Sequence, residues 1–308
     1  MDGHVCKERR CPDRMVSDII LWCCKFTTAW VNYHHVPTCN KCGTMKITTC
    51  SARPILVPCE LKDLDYQVDP YVGCAHYCRY CYALNNAETD WTKEILIYED
   101  ITSQLNKELE NIPPQQIYMG YYTDPYQPCE AEYRQTRKVL EVLLEKGFSI
   151  SILTKSDLVV RDIDVLQNMK NALVSVSVAF NDNRIRQQFE ANTKDTEVRI
   201  GALCKLREAG IMTSALVCPV IPYITDVKPL IDRLAPLTDA IWIYGLSIEK
   251  RSDRNWQNLE VILKEHFPDL KEQIEEIIFS KDHPFWIQLK HDLTDIQKDT
   301  QLDLRIHV

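Results

Sequence analysis

Cys74, Cys78 and Cys81, in the run VDPYVGCAHYCRYCYA, constrain what this chain can become more than any other feature. Thiols separated by three and then two residues meet at one point only if the backbone wraps around it, so the run reads as a loop. A short strand is expected to end near Pro70 and Tyr71, Gly73 permits a tight turn into the loop, and a helix is expected after Cys81. Three thiolates aimed at one centre make a metal site, because the set cannot pair internally. Four-ligand zinc sites usually combine a C-x2-C pair with two further ligands, and ordinary four-cysteine iron–sulfur runs use a fourth cysteine. The loop therefore suggests a cubane with one iron left open for a substrate or cofactor. A structural zinc knuckle completed by His76 or a distant cysteine is the alternative.

Cysteine usage elsewhere points the same way. The chain has 14 cysteines in 308 residues, and no apolar stretch approaches the ~20 residues that span a bilayer. The start MDGHVCKERRC has no secretory pattern, so a cytoplasmic location without membrane contact is expected. In a reducing compartment metal binding explains so many thiols better than a disulfide scaffold does. An exposed cluster would be oxygen-sensitive and would suit an anaerobic or microaerobic host. The net charge of -8 gives no overall attraction to nucleic acid, although a local basic groove is compatible with it.

Three segments are expected. Residues 1–62 form a cysteine-rich preface in which Cys39, Cys42, Cys50 and Cys59 could ligate a second centre, either another [4Fe-4S] cluster or zinc. Buried free thiols are the plainer reading. Residues 63–250 alternate strand and helix about six times: QQIYMG, FSISILTK, LVSVSVAF, MTSALVCPVIP and DAIWIYGL read as strands. Helices are expected at 130–145, 162–169, 197–209 and 227–234. Residues 251–308 are expected to supply helices and a polar covering tail. Such alternation implies an α/β fold with a parallel sheet and helices covering one face. Pattern alone allows either a partial barrel or a doubly wound sheet. In both, functional residues belong at the C-terminal strand ends, where TDPY, TKSD, AFND and PVIP fall.

The cysteine spacing, with Tyr80 before the last cysteine, resembles the cluster loop of the radical S-adenosylmethionine (radical SAM) superfamily. The segments MGYYTDPYQPCE, TRKVLEVLLEKG, ILTKSDLVVRDIDVL, VSVSVAFND, RIGALCKLREAGI and CPVIPYITD extend the likeness over about 180 residues, in order, to the branch containing spore photoproduct lyase. The resemblance implies a partial (β/α)6 TIM-like barrel and a [4Fe-4S] cluster on Cys74, Cys78 and Cys81. It also implies S-adenosylmethionine on the open iron, cleaved reductively to a 5'-deoxyadenosyl radical, and an electron donor such as a flavodoxin or ferredoxin.

Roles follow residue by residue. Tyr80 should lie near the adenine, Gly120 should let backbone approach the methionine amino group, and Thr123 and Asp124 follow it closely. Lys155 could meet a carboxylate or a substrate anion, and Ser175 and Ser177 could point into the barrel toward ribose or carboxylate oxygens. Glu190 and Arg199 match a Glu and an Arg assigned to cofactor binding, and Pro219 shapes the loop where adenine commonly stacks. Cys129 replaces a usually aliphatic residue and could act as a hydrogen-atom donor, or simply as a small buried hydrophobe. The cysteine-rich preface is a second departure from the simple members of the branch. For the substrate, a small molecule or peptide ranks slightly above nucleic acid, because Lys7, Arg9, Arg10, Lys41 and Lys46 are few for a basic groove. A non-enzymatic iron–sulfur or zinc protein is the rival from another class.

Overall fold

The computed structural model describes residues 45–50, 53–300 and 302–308. Cys39 and Cys42, half of the second centre expected in the preface, lie outside the described residues.

Apolar runs bounded by turns form one large sheet. Its strands are β2 (Leu56–Pro58), β3 (Tyr66–Val68), β6 (Gln116–Met119), β7 (Ser149–Thr154), β8 (Leu173–Ser177), β9 (Met212–Val220), β10 (Ala240–Gly245) and β11 (Leu304–His307). The order is β11-β10-β9-β8-β7-β6-β3-β2, and only β2 runs antiparallel to its neighbour. Each of the seven parallel strands lies beside the next one in the chain, and the order never reverses. Right-handed crossovers then leave all the connecting helices on one face. A doubly wound sheet needs a reversal, so the order fits a partial TIM-like barrel.

Side-chain alternation sorts the two faces. Ile117, Met119, Ile150, Ile152, Val174, Val176, Ala215, Val217, Ile241 and Ile243 are buried on the helix side. There they meet Leu105 of α1 (Ile101–Glu108), Val139 and Leu143 of α3 (Gln135–Glu145), Leu203 of α6 (Thr196–Glu208), Leu230 of α7 (Val227–Leu234) and Leu293 of α10 (Pro284–Thr300). The alternate positions include Tyr118, Ser151, Ser175, Ser177, Ser214, Trp242 and Tyr244, so the inner face is polar and aromatic.

A second sheet, β1-β5-β4, joins β1 (Lys46–Cys50), β5 (Glu94–Tyr98) and β4 (Tyr71–Val72). Strands β1 and β2 both come from the segment expected to be a preface, yet each is hydrogen-bonded into a sheet with core strands.

Several elements depart from expectation. The single helix expected at 130–145 is two, α2 (Glu130–Tyr133) and α3, separated by Arg134 at φ 51°. The cause is Glu130: its buried carboxylate turns back to accept the Thr136 and Arg137 N–H groups at 2.9 and 3.3 Å, capping α3 from outside the helix. The helix expected at 162–169 shrinks to α4 (Ile163–Leu166), after a 3-10 turn at 157–162. After Cys81 there is only a 3-10 turn, Tyr82–Asn86, and no α-helix. Helix α5 (Asn183–Phe189) precedes Glu190. Beyond residue 250 come α8 (Arg254–His266), α9 (Lys271–Ile278) and α10, and the tail closes with β11 paired to β10.

Candidate cluster-binding site

The cysteine loop leaves β4 through Gly73, whose φ of +88° suits glycine. A Cβ there would sit 2.9 Å from Thr89 Oγ1 and 3.1 Å from Ile95 Cδ1, so a side chain would displace both on top of the strained φ. Successive turns follow, with Tyr77 N–H donating to the Cys74 carbonyl (3.1 Å) and Cys81 N–H to that of Cys78 (3.0 Å). Cys74 and Cys78 are buried, Cys81 is half-buried, and all three thiols are free.

Their electrostatics test the fit of a cluster. Burial pushes Cys74 up to about 12, helped by the charge of Asp124, and Cys81 adds to it. Burial also drives Cys78 well above its ordinary value, with Glu190, Cys81 and Cys74 adding and Lys155 opposing. Two buried thiols and a half-buried one, with negative charge disfavoured at the buried pair, suit a cationic iron–sulfur group, which holds thiolates deprotonated. Among the described residues, no three of His, Cys, Asp or Glu converge closely enough to share one ion. Thiols that serve different corners of a cubane need not converge on one atom. His76 faces Asp124 instead, Nδ1 to Oδ2 at 3.2 Å.

The loop is gripped from outside. Gln127, fully buried, donates from Nε2 to the Gly73 carbonyl (3.0 Å) and accepts the Ala75 N–H on Oε1 (2.8 Å). The Asp124 N–H points at Cys74 Sγ at 3.5 Å. Asn192 donates to the Ala75 carbonyl (3.1 Å), and Arg79 N–H to that of Phe189 (2.9 Å). Buried Asn255 of α8 donates to the carbonyls of Ser247 (2.9 Å) and Tyr80 (3.4 Å). Gln127 and Asn255 were not among the expected site residues. The polar Gln127 inside TDPYQPC is the one signal the sequence offers for the first of them.

The strand-end residues gather around this loop. Gly120, at φ +97°, ends β6 so close to β7 that a Cβ would lie 2.4 Å from the Leu153 carbonyl oxygen. Thr123 donates from N–H to Asp69 Oδ1 at 2.9 Å. Asp124 accepts Thr154 Oγ1–H (2.7 Å) and Tyr126 N–H (2.9 Å) on Oδ1, and Lys155 N–H (2.7 Å) on Oδ2. Burial opposes its charge, yet His76 and these donors outweigh burial and hold the carboxyl down at about 2. Burial also works against the Lys155 ammonium, but Cys78, Glu190 and Cys218 keep its pKa above the ordinary value. Its Nζ stands 5.9 Å from the centre of the Tyr80 ring.

Ser175 and Ser177 lie on the inner face, bonded to Ser214 Oγ (2.5 Å) and to the Cys218 carbonyl (3.4 Å). Pro219 is buried after β9's Cys218, and its carbonyl accepts Thr225 Oγ1–H at 3.2 Å.

Glu190 and Arg199 form a buried pair beneath the loop. Glu190 accepts from the Tyr80 hydroxyl and from Arg199 Nη2. Arg199 also donates to the carbonyls of Lys194 (2.8 Å) and Ser177 (2.9 Å) and to Thr193, so every guanidinium nitrogen is engaged. Burial would raise Glu190; Arg199, Lys155 and the Tyr80 hydrogen bond reverse that and hold it below the ordinary value.

Three expected residues lie elsewhere. Cys129 caps α2 and packs with Tyr71, Ile95 and Ile97, where burial and then Glu130 push its thiol up to about 12; this is a hydrophobe's setting. Cys50 packs on the main core, and Cys59 accepts Leu61 N–H on its sulfur at 3.4 Å.

A model of the radical SAM superfamily matches residues 68–234, more than half of the chain. The chain belongs to the radical SAM superfamily. It is an enzyme of the radical SAM type, a superfamily whose members in general use S-adenosylmethionine and an iron–sulfur cluster for radical chemistry. The non-enzymatic alternative is thereby corrected.

Among its relatives is an uncharacterised protein of Methanocaldococcus jannaschii, 28% identical over 75% of this chain and 87% of that one. An uncharacterised Mycobacterium tuberculosis protein is 29% identical over 62% of this chain and 61% of its own length. The Radical SAM Nalpha-GlyT isomerase of Pseudomonas phage M6 is 27% identical over 54% of this chain and 36% of that one. Among solved structures, a spore photoproduct lyase mutant with bound AdoMet and dinucleoside spore photoproduct superposes with a TM-score of 0.62. It has 14% identity and covers 85% of this chain and 82% of that one. That likeness is one of fold. No helix among the described residues is long and apolar enough to cross a membrane.

Proposed function

We propose that this radical SAM enzyme repairs or modifies a nucleic acid, with Cys74, Cys78 and Cys81 holding a [4Fe-4S] cluster. When bound, that group supplies the electron that cleaves S-adenosylmethionine to methionine and a 5'-deoxyadenosyl radical, which takes a hydrogen atom from the substrate. The observation that carries the radical part is the set of three free thiols on one loop gripped by Gln127 and Asn192.

The chain's own groups then have definite tasks. Gln127 and Asn192 hold the loop's backbone, and the Asp124 N–H offers a hydrogen bond to the Cys74 sulfur, a contact that tunes such a group. Lys155 presents a positive charge beside Cys78 for a carboxylate or phosphate oxygen. Glu190 and Arg199 act as positioning residues for Tyr80, because their hydrogen-bonding capacity is spent on protein partners. Ser175 and Ser177 keep the inner face small and polar where the sugar or base would lie.

For the substrate, nucleic acid moves ahead of the small molecule or peptide that the sequence alone favoured. Two similar proteins support this reading: a lyase bound to a dinucleoside photoproduct and a phage enzyme named for GlyT. The acidic total argues for an unpaired strand or a flipped base, since holding a duplex by its phosphates needs a basic groove.

The test is isotopic. Anaerobically reconstituted, reduced protein is given S-adenosylmethionine and a single-stranded oligonucleotide built from perdeuterated nucleotides. Deuterium in the 5'-deoxyadenosine is the expected result. Formation of 5'-deoxyadenosine without deuterium, matched by label transfer from a deuterated peptide library, would return the substrate to the earlier ranking.

A further inference from the structure

Resting on that reading, we propose that Trp242, Tyr244 and His307 form a stacking platform for one unpaired base of a single-stranded substrate, laid across the β11 edge. Strands β10 and β11 pair in parallel with Tyr244 opposite His307 and Trp242 opposite Arg305. Ile241, Ile243 and Leu304 of the same strands are buried in the helix-side core, so these four side chains stand on the inner face.

The rings are nearly parallel. Tyr244 and His307 lie 4.5 Å apart at 6°, Trp242 and His307 5.7 Å apart at 7°, and Trp242 and Tyr244 6.2 Å apart at 5°. The Arg305 guanidinium carbon lies 5.7 Å from the Trp242 ring centre. Trp242 and Tyr244 are only half-buried and His307 is exposed, so the group leaves ring surface uncovered for a further planar ring. Every base offers a π-face, and a guanidinium beside the rings adds attraction for it.

Position ties this group to the chemistry. Tyr244 and His307 stand near the C-terminal ends of their parallel strands, the end that carries Ser177, Lys155, Cys218 and the cysteine loop. Tyr244 lies within electrostatic reach of Cys218, and Cys218 within that of Lys155 and Cys81, so the platform stands toward the loop. Tyr118 of β6 feels both Tyr244 and Cys218. On its other side β11 pairs with no strand among the described residues. A polymer can therefore lie outside while one base reaches in.

Charge decides how the strand is held. The chain carries -8, and Arg305 already bonds Asp303 (Nη2 to Oδ2, 2.9 Å), so stacking and not phosphate neutralisation carries the affinity. The test is anisotropy of the reconstituted full chain with a labelled ten-nucleotide thymine-rich single strand and with an abasic strand of equal length. The abasic strand should bind about tenfold more weakly. Trp242→Leu should weaken the base-bearing strand by about the same factor and leave the abasic strand unchanged, while Trp242→Phe should restore most of the loss. Added salt should change wild-type affinity little, a readout that needs no variant. Equal binding of the two strands, or affinity that collapses with salt, overturns the platform. Failure to form 5'-deoxyadenosine would instead sink the radical reading and leave these binding results standing.

Discussion

Gln127 spans the peptide groups on both sides of Cys74, donating to the carbonyl before it and accepting the N–H after it. Gln127 itself is fully buried, so its amide orientation is dictated by these two partners, which pin the cysteine's backbone on both sides. Replacing the side chain strands the buried Gly73 carbonyl and the part-buried Ala75 N–H, and a buried group left without a partner costs about 1–3 kcal/mol. Gln127→Leu should lower the melting temperature and reduce iron retained after reconstitution, and Gln127→Glu should fall between it and wild type. Iron per chain and a melting curve read both; unchanged iron in Gln127→Leu would deny the clamp any part in loading.

Iron counts also separate one centre from two. A Cys74→Ala/Cys78→Ala/Cys81→Ala variant should lose about four irons per chain and all formation of 5'-deoxyadenosine. Cys39→Ala/Cys42→Ala should lose a further set only if the first 62 residues carry a cluster of their own.

Asp69 sets a pH dependence. Its Oδ1 accepts Tyr122 N–H (3.1 Å), Thr123 N–H and Thr123 Oγ1–H, while Oδ2 is shielded and has no partner. Burial outweighs those donors and raises its pKa from 3.8 to about 6. A folded-state value above the unfolded one means that the folded chain binds the proton more tightly. Stability is then greatest below about 4 and falls as pH rises toward 6, by about 2 kcal/mol, discounted because the residue as a whole is only half-buried. Asp69→Asn keeps the acceptor and removes the charge. Urea unfolding at pH 5 and pH 8 should therefore show a smaller difference in the variant than in wild type.

Glu190 and Arg199 give the largest expected stability effect. Removing one partner of a buried ion pair typically costs about 3–5 kcal/mol, because the other charge stays buried without compensation. Arg199→Met should unfold far more easily than wild type, and Glu190→Gln/Arg199→Met should recover part of the loss. A double variant no better than the single one would show that Arg199 acts mainly through the carbonyls of Ser177 and Lys194.

Much of this is legible in the sequence alone. The cysteine run and the strand–helix alternation carried both family and architecture, because period-two strands and amphipathic helices are local signals. The strand ends TDPY and TKSD do converge, through the Asp124 bonds to Thr154 and Lys155. What stayed hidden depends on partners distant in the chain. The break at Arg134 follows from a buried Glu130 whose hydroxyl donor, Tyr71, lies 59 residues away. Strand β11 is four residues long and polar on one face, too little pattern to separate from a tail. The role of Gln127 appears only when two loops are brought together.

Strand β4 leads straight into Gly73 and Cys74, and it is only two residues long. It hangs on β5, which is braced on its other edge by Lys46–Cys50. The first cysteine ligand is thus suspended from a three-strand bracket whose outermost bar lies early in the chain. Trimming the protein back to its barrel, as the boundary at 62 would invite, takes that bar away. Such a shortened enzyme would lose its hold on iron before losing its shape.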